Sequence, residues 1–187
     1  MAHATVRMRN DIDLDALTIF EEQARTDPKQ ASVLTRARAV WTRGSTPAFA
    51  GPTRLSSGAK YVMEADLPGA FTGTERAPSR PAPVQHALFG VATCYATCLL
   101  SVAAQCGLEL EEIRVTVETE VNFSRLLADP NGPPPAGPVR VRVEVMPDTS
   151  ETLATVREIS EVAKARAPGV YMIAHPMPVT VEVTGVR

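Results

Sequence analysis

The chain has 187 residues, 44% of them hydrophobic and 21% charged, which suits one soluble globular domain with a real core and argues against wholesale disorder. Nineteen Lys and Arg against 21 Asp and Glu leave a formal charge of −2, and the basic residues are scattered, so the concentrated footprint of a nucleic-acid binder is missing. The three cysteines, Cys94, Cys98 and Cys106, have neither the paired-Cys nor the His spacing of a zinc site, so no metal and no cofactor is expected.

Met1 to Asp15 carries Arg7, Arg9, Asp11, Asp13 and Asp15 and lacks the apolar core of a signal peptide, which predicts a cytoplasmic protein. Residues 13 to 26 place Leu14, Leu17, Ile19 and Phe20 at helical spacing and end before Asp27-Pro28, a proline stop. Residues 1–31 are read as a helical extension and 32–187 as the main domain. Ser32 to Trp41 alternates Val33, Thr35, Ala37, Ala39 and Trp41 against Leu34, Arg36, Arg38 and Val40, which predicts a strand with one polar face. Two further strands are expected at about 47–50 and 59–66, within a Gly-, Pro- and Ser-rich stretch.

Val84 to Gln105 is the strongest helix signal, opened by Pro83 and closed at Cys106-Gly107, where glycine supplies a left-handed cap. It is apolar nearly all round, which predicts burial on every side. About 22 residues at 1.5 Å each reach roughly 33 Å, enough to cross a small domain. Its longest apolar run, Ala87 to Ala104, is interrupted by Thr93, Tyr95, Thr97 and Ser101 and reads as a core helix, with no membrane expected.

Glu112 to Phe123 and Val139 to Val145 alternate as half-exposed strands on either side of a loop carrying five prolines between Ala128 and Pro138, and so form a hairpin. Asp148 or Thr149 caps a second helix carrying Leu153, Val156, Ile159 and Val162, which stops at Ala167-Pro168-Gly169. Met177 to Val186 alternates again and predicts a closing strand. Strands and helices in blocks favour an α+β fold, mainly antiparallel, around the long buried helix.

Three segments carry a resemblance over residues 33–186. Pro83-Val84-Gln85-His86-Ala87-Leu88-Phe89-Gly90-Val91-Ala92-Thr93-Cys94 places a cysteine eleven residues after a helix-opening proline. Gly107 to Ile113 runs from that helix into a strand, and Pro178 to Val183 reads as a last strand. Together they resemble the OsmC and organic-hydroperoxide-resistance (Ohr) family. The resemblance implies an intertwined homodimer whose two central helices lie back to back. It also implies thiol peroxidase chemistry, in which a cysteine attacks an organic hydroperoxide and becomes a sulfenic acid.

By that resemblance Cys94 is the attacking thiol. The family's resolving cysteine precedes a proline after the second helix, and Ala167 stands there. Its carboxylate after the opening proline is matched by Val84. The full cycle is therefore not expected, and an external thiol reductant takes the resolving role. Cys98, four residues on, sits about 40° round and 6 Å up the helix, so a disulfide to Cys94 is strained. Arg43, in Trp41-Thr42-Arg43-Gly44, is the candidate supporting cation, and His175 the candidate reaching the site from the chain's end. Val84, Phe89, Tyr95, Ala167 and Tyr171 are expected to line an apolar pocket, for an organic hydroperoxide or, if peroxidase activity is lost, another small apolar molecule.

Overall fold

A computed structural model describes residues 6–45, 47–54, 58–72, 78–147 and 149–185. By contacts the chain forms two compact units, Met1–Arg7 with Asp13–Gly90, and Met8–Ile12 with Val91–Arg187. In chain order the elements are β1 (Met8–Arg9), β2 (Ile12–Asp13), α1 (Leu14–Thr26), a 3-10 turn (Pro28–Ala31), β3 (Val40–Trp41), β4 (Phe49–Arg54) and β5 (Lys60–Ala65). There follow α2 (Gly69–Thr72), α3 (Pro83–Gln105), β6 (Glu112–Glu118), α4 (Ser124–Leu127), β7 (Arg140–Met146), α5 (Ser150–Arg166) and α6 (Pro168–Ala174). The α+β class and the antiparallel pairing expected from the sequence are what the chain adopts.

In the first unit, Asp13 caps α1 by accepting from the backbone N–H groups of Asp15 and Ala16. β3, β4 and β5 form an antiparallel sheet, with Val40 opposite Ala50 and Phe49 opposite Ala65. The strand expected over Ser32 to Trp41 is corrected to Val40–Trp41 alone. The reason lies in β4: continuing the register would set Arg38 opposite Pro52, which has no N–H to donate. Beside it, a Cβ on Gly51 would lie 1.6 Å from the Arg38 carbonyl oxygen, so only glycine admits the crossing chain.

Asp66 ties the lower end of this unit together. Only 7% exposed, its carboxylate accepts from the N–H groups of Ala48 (3.0 Å), Ser79 (2.8 Å) and Arg80 (3.0 Å) and from the Ser79 hydroxyl (3.2 Å). The Ala48 N–H first, and then that of Ser79, hold this carboxyl below its ordinary range.

The second unit packs α5, α6 and the β6–β7 hairpin on one side of α3. Val91, Tyr95, Leu99 and Val102 on α3 meet Val156, Ile159 and Ala163 of α5 with Ala167 and Val170 of the following turn. Alternate residues of β6 and β7, Val115 and Val117 with Val141, Val143 and Val145, close the core. Thr149 caps α5 by accepting from the Thr152 N–H; Asp148, the other expected cap, lies outside the described residues. α3 ends as expected at Gly107 (φ 84°), with Gly107 N–H donating to Ala104 O and Leu108 N–H to Ala103 O.

A clasp unforeseen in the sequence secures that end. β1 and β2 turn at Asn10 and Asp11, both left-handed, which sends Arg9 to donate to Ala104 O (3.2 Å). The Asn10 amide donates to Leu108 O (3.0 Å) and accepts from Leu110 N–H (2.9 Å). The first of these bonds reaches a carbonyl of the last turn of α3, which a helix end leaves without an intrahelical partner, and the other two fix the chain that leaves it.

Two expectations change. Among the described residues α3 is buried on one side, at Val91, Tyr95, Leu99 and Val102, while Phe89 (69% exposed), Gly90, Thr93 and Thr97 are exposed. The strand expected over Met177 to Val186 pairs with no sheet among the described residues: residues 176–185 are irregular, Val186 lies outside the described residues, and Val179, Val181 and Val183 are 80–91% exposed. Alternation makes a segment able to pair, but β7 pairs on one edge with β6 alone. Among the described residues, α3 is also the one helix long and apolar enough to cross a membrane by length and composition, a test that core helices pass too.

Two outcomes test this architecture. Leu99, fully buried, should cost about 2–5 kcal/mol when truncated to alanine, whereas Thr97→Ala on the open side should be near neutral, both read by urea unfolding. Asp66 titrates lower folded than unfolded, so its contribution is complete above about pH 3.9 and is lost as pH falls through its depressed folded value. Acid unfolding curves of Asp66→Asn should lack that component.

Candidate functional site

Cys94 stands twelfth in α3, about 16 Å along its axis from Pro83. It follows the outward Thr93 and precedes the buried Tyr95, and a step of about 100° per residue puts its thiol at the margin of the packed face, half-buried. The chain lying against it is the first turn of α6. A Cβ on Gly169 would come within 3.0 Å of Cys94 Cβ and 3.3 Å of its Sγ, so glycine there is what lets α6 approach the thiol. Ala167, at the matched resolving position, is fully buried and takes the extended conformation favoured before proline.

Cys98 is also half-buried, and Cys106 is exposed. Burial pushes the Cys98 thiol up, the nearness of Cys94 adds to this, and Arg166 opposes it. Arg166, at the end of α5, also donates to Gln105 Oε1 (3.3 Å) and is the cation acting on Cys98. Neither it nor Gly169 stood out in the sequence; the signal available was a cation and a glycine flanking Ala167-Pro168.

The other candidates are distributed between the units. Arg43 is exposed in the first unit, in a turn where the Ser45 hydroxyl and N–H donate to Thr42 O and Gly44 has φ 77°. Val84 and Phe89 also belong to the first unit and are exposed. His86, there too, is held through Nε2, 2.7 Å from Glu64 O. In the second unit, His175 stacks on Tyr171 with ring centroids 4.1 Å apart, and its Nδ1 lies 3.1 Å from Tyr171 O.

Of the five residues expected to share a pocket, Tyr95 and Tyr171 line two different cavities and Ala167 is wholly covered. Tyr171 and His175 border a cavity of about 310 Å³. Tyr95 backs a larger one of about 850 Å³ between β7, α5 and α6, where its hydroxyl reaches Ser160 O at 3.4 Å and burial raises its pKa. Cys94 is in the wall of neither. Among the described residues no cluster of three or more His, Cys, Asp or Glu is placed to hold a metal.

A small α+β chain with antiparallel sheets and a half-buried thiol midway along its longest helix defines a class of helix-borne cysteine proteins. The family within that class is fixed by sequence: the family model described as OsmC-like protein matches residues 75–182, more than half of the chain, and the chain belongs to that family. No curated protein matches it. Solved structures with the same fold include an OsmC-like protein from Mycoplasma pneumoniae, with TM-score 0.55 and 13% identity over 76% of this chain and 89% of that one. An organic hydroperoxide resistance protein OsmC from Legionella pneumophila gives 0.50 and 15% over 76% and 91%. One from Elizabethkingia anophelis gives 0.50 and 17% over 75% and 89%.

The thiol environments differ enough to be read chemically. Iodoacetamide at neutral pH should alkylate Cys98 slowest of the three cysteines, since it is half-buried and held protonated. Peptide mapping by mass spectrometry against time checks the order, and equal rates at Cys98 and Cys106 would contradict it.

Proposed function

We propose that this chain is a thiol peroxidase for small organic hydroperoxides, with Cys94 as the attacking cysteine and an external thiol as reductant. The observation carrying this reading is the position of Cys94, half-buried at mid-helix in the family-matched region, with the Gly169 turn beside it. The names of the Legionella and Elizabethkingia proteins point to the same substrate class. In the first step the Cys94 sulfur attacks one peroxide oxygen, the O–O bond breaks, the alcohol leaves with a proton, and the sulfur retains the oxygen as sulfenic acid. One external thiol condenses with it, forming an S–S bond and releasing water, and a second displaces Cys94 by exchange.

This single-cysteine route follows from Ala167 at the resolving position and from Cys98, whose raised pKa suits a packing thiol better than a nucleophile. The active form in this reading is a cytoplasmic homodimer. The open side of α3 and the exposed alternating valines at 179, 181 and 183 offer the apolar surface that a second copy would cover.

A second reading, binding or conversion of another small apolar molecule without peroxide chemistry, is favoured by one observation: apolar Val84 and Ala167 replace the groups that the family resemblance expects for the full cycle.

Stopped-flow mixing with cumene or tert-butyl hydroperoxide, followed by dimedone trapping, should yield one sulfenic acid, at Cys94. Turnover should be slow with a monothiol and absent in Cys94→Ser. Ala167→Cys should add a peroxide-dependent disulfide. No adduct at Cys94 while apolar ligands still bind would instead support the second reading. Light scattering should return about 40 kDa, twice the 20.0 kDa chain.

A further inference from the structure

The 850 Å³ cavity of the second unit is distinct from the thiol and has a chemistry of its own. Its length follows from the elements that wall it. Val139 to Val145 contributes alternate side chains over six strand steps, about 20 Å. Leu153 to Lys164 contributes one face of α5 over eleven helical steps, about 16 Å. The site is thus an elongated groove, of a volume usual for small-molecule sites.

Its walls are graded. Val141, Val143, Leu153, Val156, Val170 and Ile173 make the apolar part. Along α5 the same face then turns polar, through Arg157, Ser160, Glu161 and Lys164, and β7 adds Arg140. Three cations therefore border the groove against a single carboxylate. Lys164 is engaged by Glu161 at 3.1 Å, and Arg140 by Glu118 at 3.1 Å. Arg157 forms no ion pair among the described residues, so an unneutralised guanidinium stands where apolar wall gives way to polar rim.

From this we infer that the groove is a binding site for an amphipathic anion, a linear apolar chain ending in a carboxylate or comparable oxyanion. The chain lies along the valines of β7 and the head meets Arg157. Arg157 is exposed, so an apolar ligand alone would leave its guanidinium to solvent and gain nothing from it, and a cationic one would face a net positive rim. The site adjoins the thiol through its back wall: Tyr95 and Val170 line the groove, while their sequence neighbours Cys94 and Gly169 touch on the far side. An occupant pressing on Val170 therefore acts on the turn that packs against Cys94.

The test is titration calorimetry of the full chain with dodecanoate below its micelle concentration, beside dodecanol and dodecyltrimethylammonium. Dodecanoate should bind once per chain and more tightly than either. Arg157→Glu should weaken it by about tenfold or more, Arg157→Lys by much less, and Cys94→Ser not at all. Methyl NMR shifts should concentrate on Val141, Val143 and Ile173. No binding, equal binding of the three chains, insensitivity to Arg157→Glu, or shifts elsewhere would overturn the assignment. Because Cys94→Ser retains the site, its failure and that of the peroxidase reading are separate results.

Discussion

The constraint on which the second unit depends is the apolar character of α3, which has to be covered and which that unit's described residues cover on a single side. Tyr95, Leu99 and Val102 recur at helical spacing and draw α5, α6 and the β6–β7 hairpin onto one face, with Leu99 wholly enclosed. Cys94 precedes Tyr95 by one residue and so cannot be at the centre of that face. Its half-burial at the seam between core and open side is a consequence of packing, as is the approach of α6, which glycine at 169 permits.

The same packing separates two kinds of chemistry. On the seam stand the thiols, with Cys98 kept protonated by burial and by its neighbour, and with Arg166 as the nearby cation. Behind Tyr95 opens a groove whose wall is apolar and whose rim is basic. A thiol and a ligand-sized cavity within one unit need not be one site, and here Cys94 lines neither the cavity behind Tyr95 nor the one beside Tyr171. Inheritance of the OsmC-like fold is secure on the family match. The chemistry rests on this chain's own residues, because Ala167 and Val84 stand at positions where the resemblance expects reactive groups.

Much of the fold was legible because it is local. α1 and α5 announce themselves by 3.6-residue spacing, α3 by a long run apolar nearly all round, and all three by stops or caps at Asp27-Pro28, Gly107 and Thr149 that are satisfied within a few residues of chain. The β6–β7 alternation is equally direct, with burial changing at every residue. The strand over residues 32–39 misled because its alternation says nothing of the neighbour: Pro52 and Gly51, more than a dozen residues later, decide that the ladder stops. The Asn10 clasp was invisible for a related reason, since its partners are about 100 residues away.

By itself, the sequence determined the three long helices, α1, α3 and α5, where they end, and which cysteine occupies the middle of the longest one, because these follow from periodicity, capping and the rise of a helix, whereas the short α2, α4 and α6 gave no such signal. Tertiary structure alone decided that the thiol is half-buried, that Gly169 lies against it while Arg166 acts on Cys98, and that Tyr95 belongs to a different cavity from Tyr171. Those are relations between side chains far apart in the chain. They exist only once the core has fixed which faces of α3, α5 and α6 meet, and no spacing within any one segment encodes that choice.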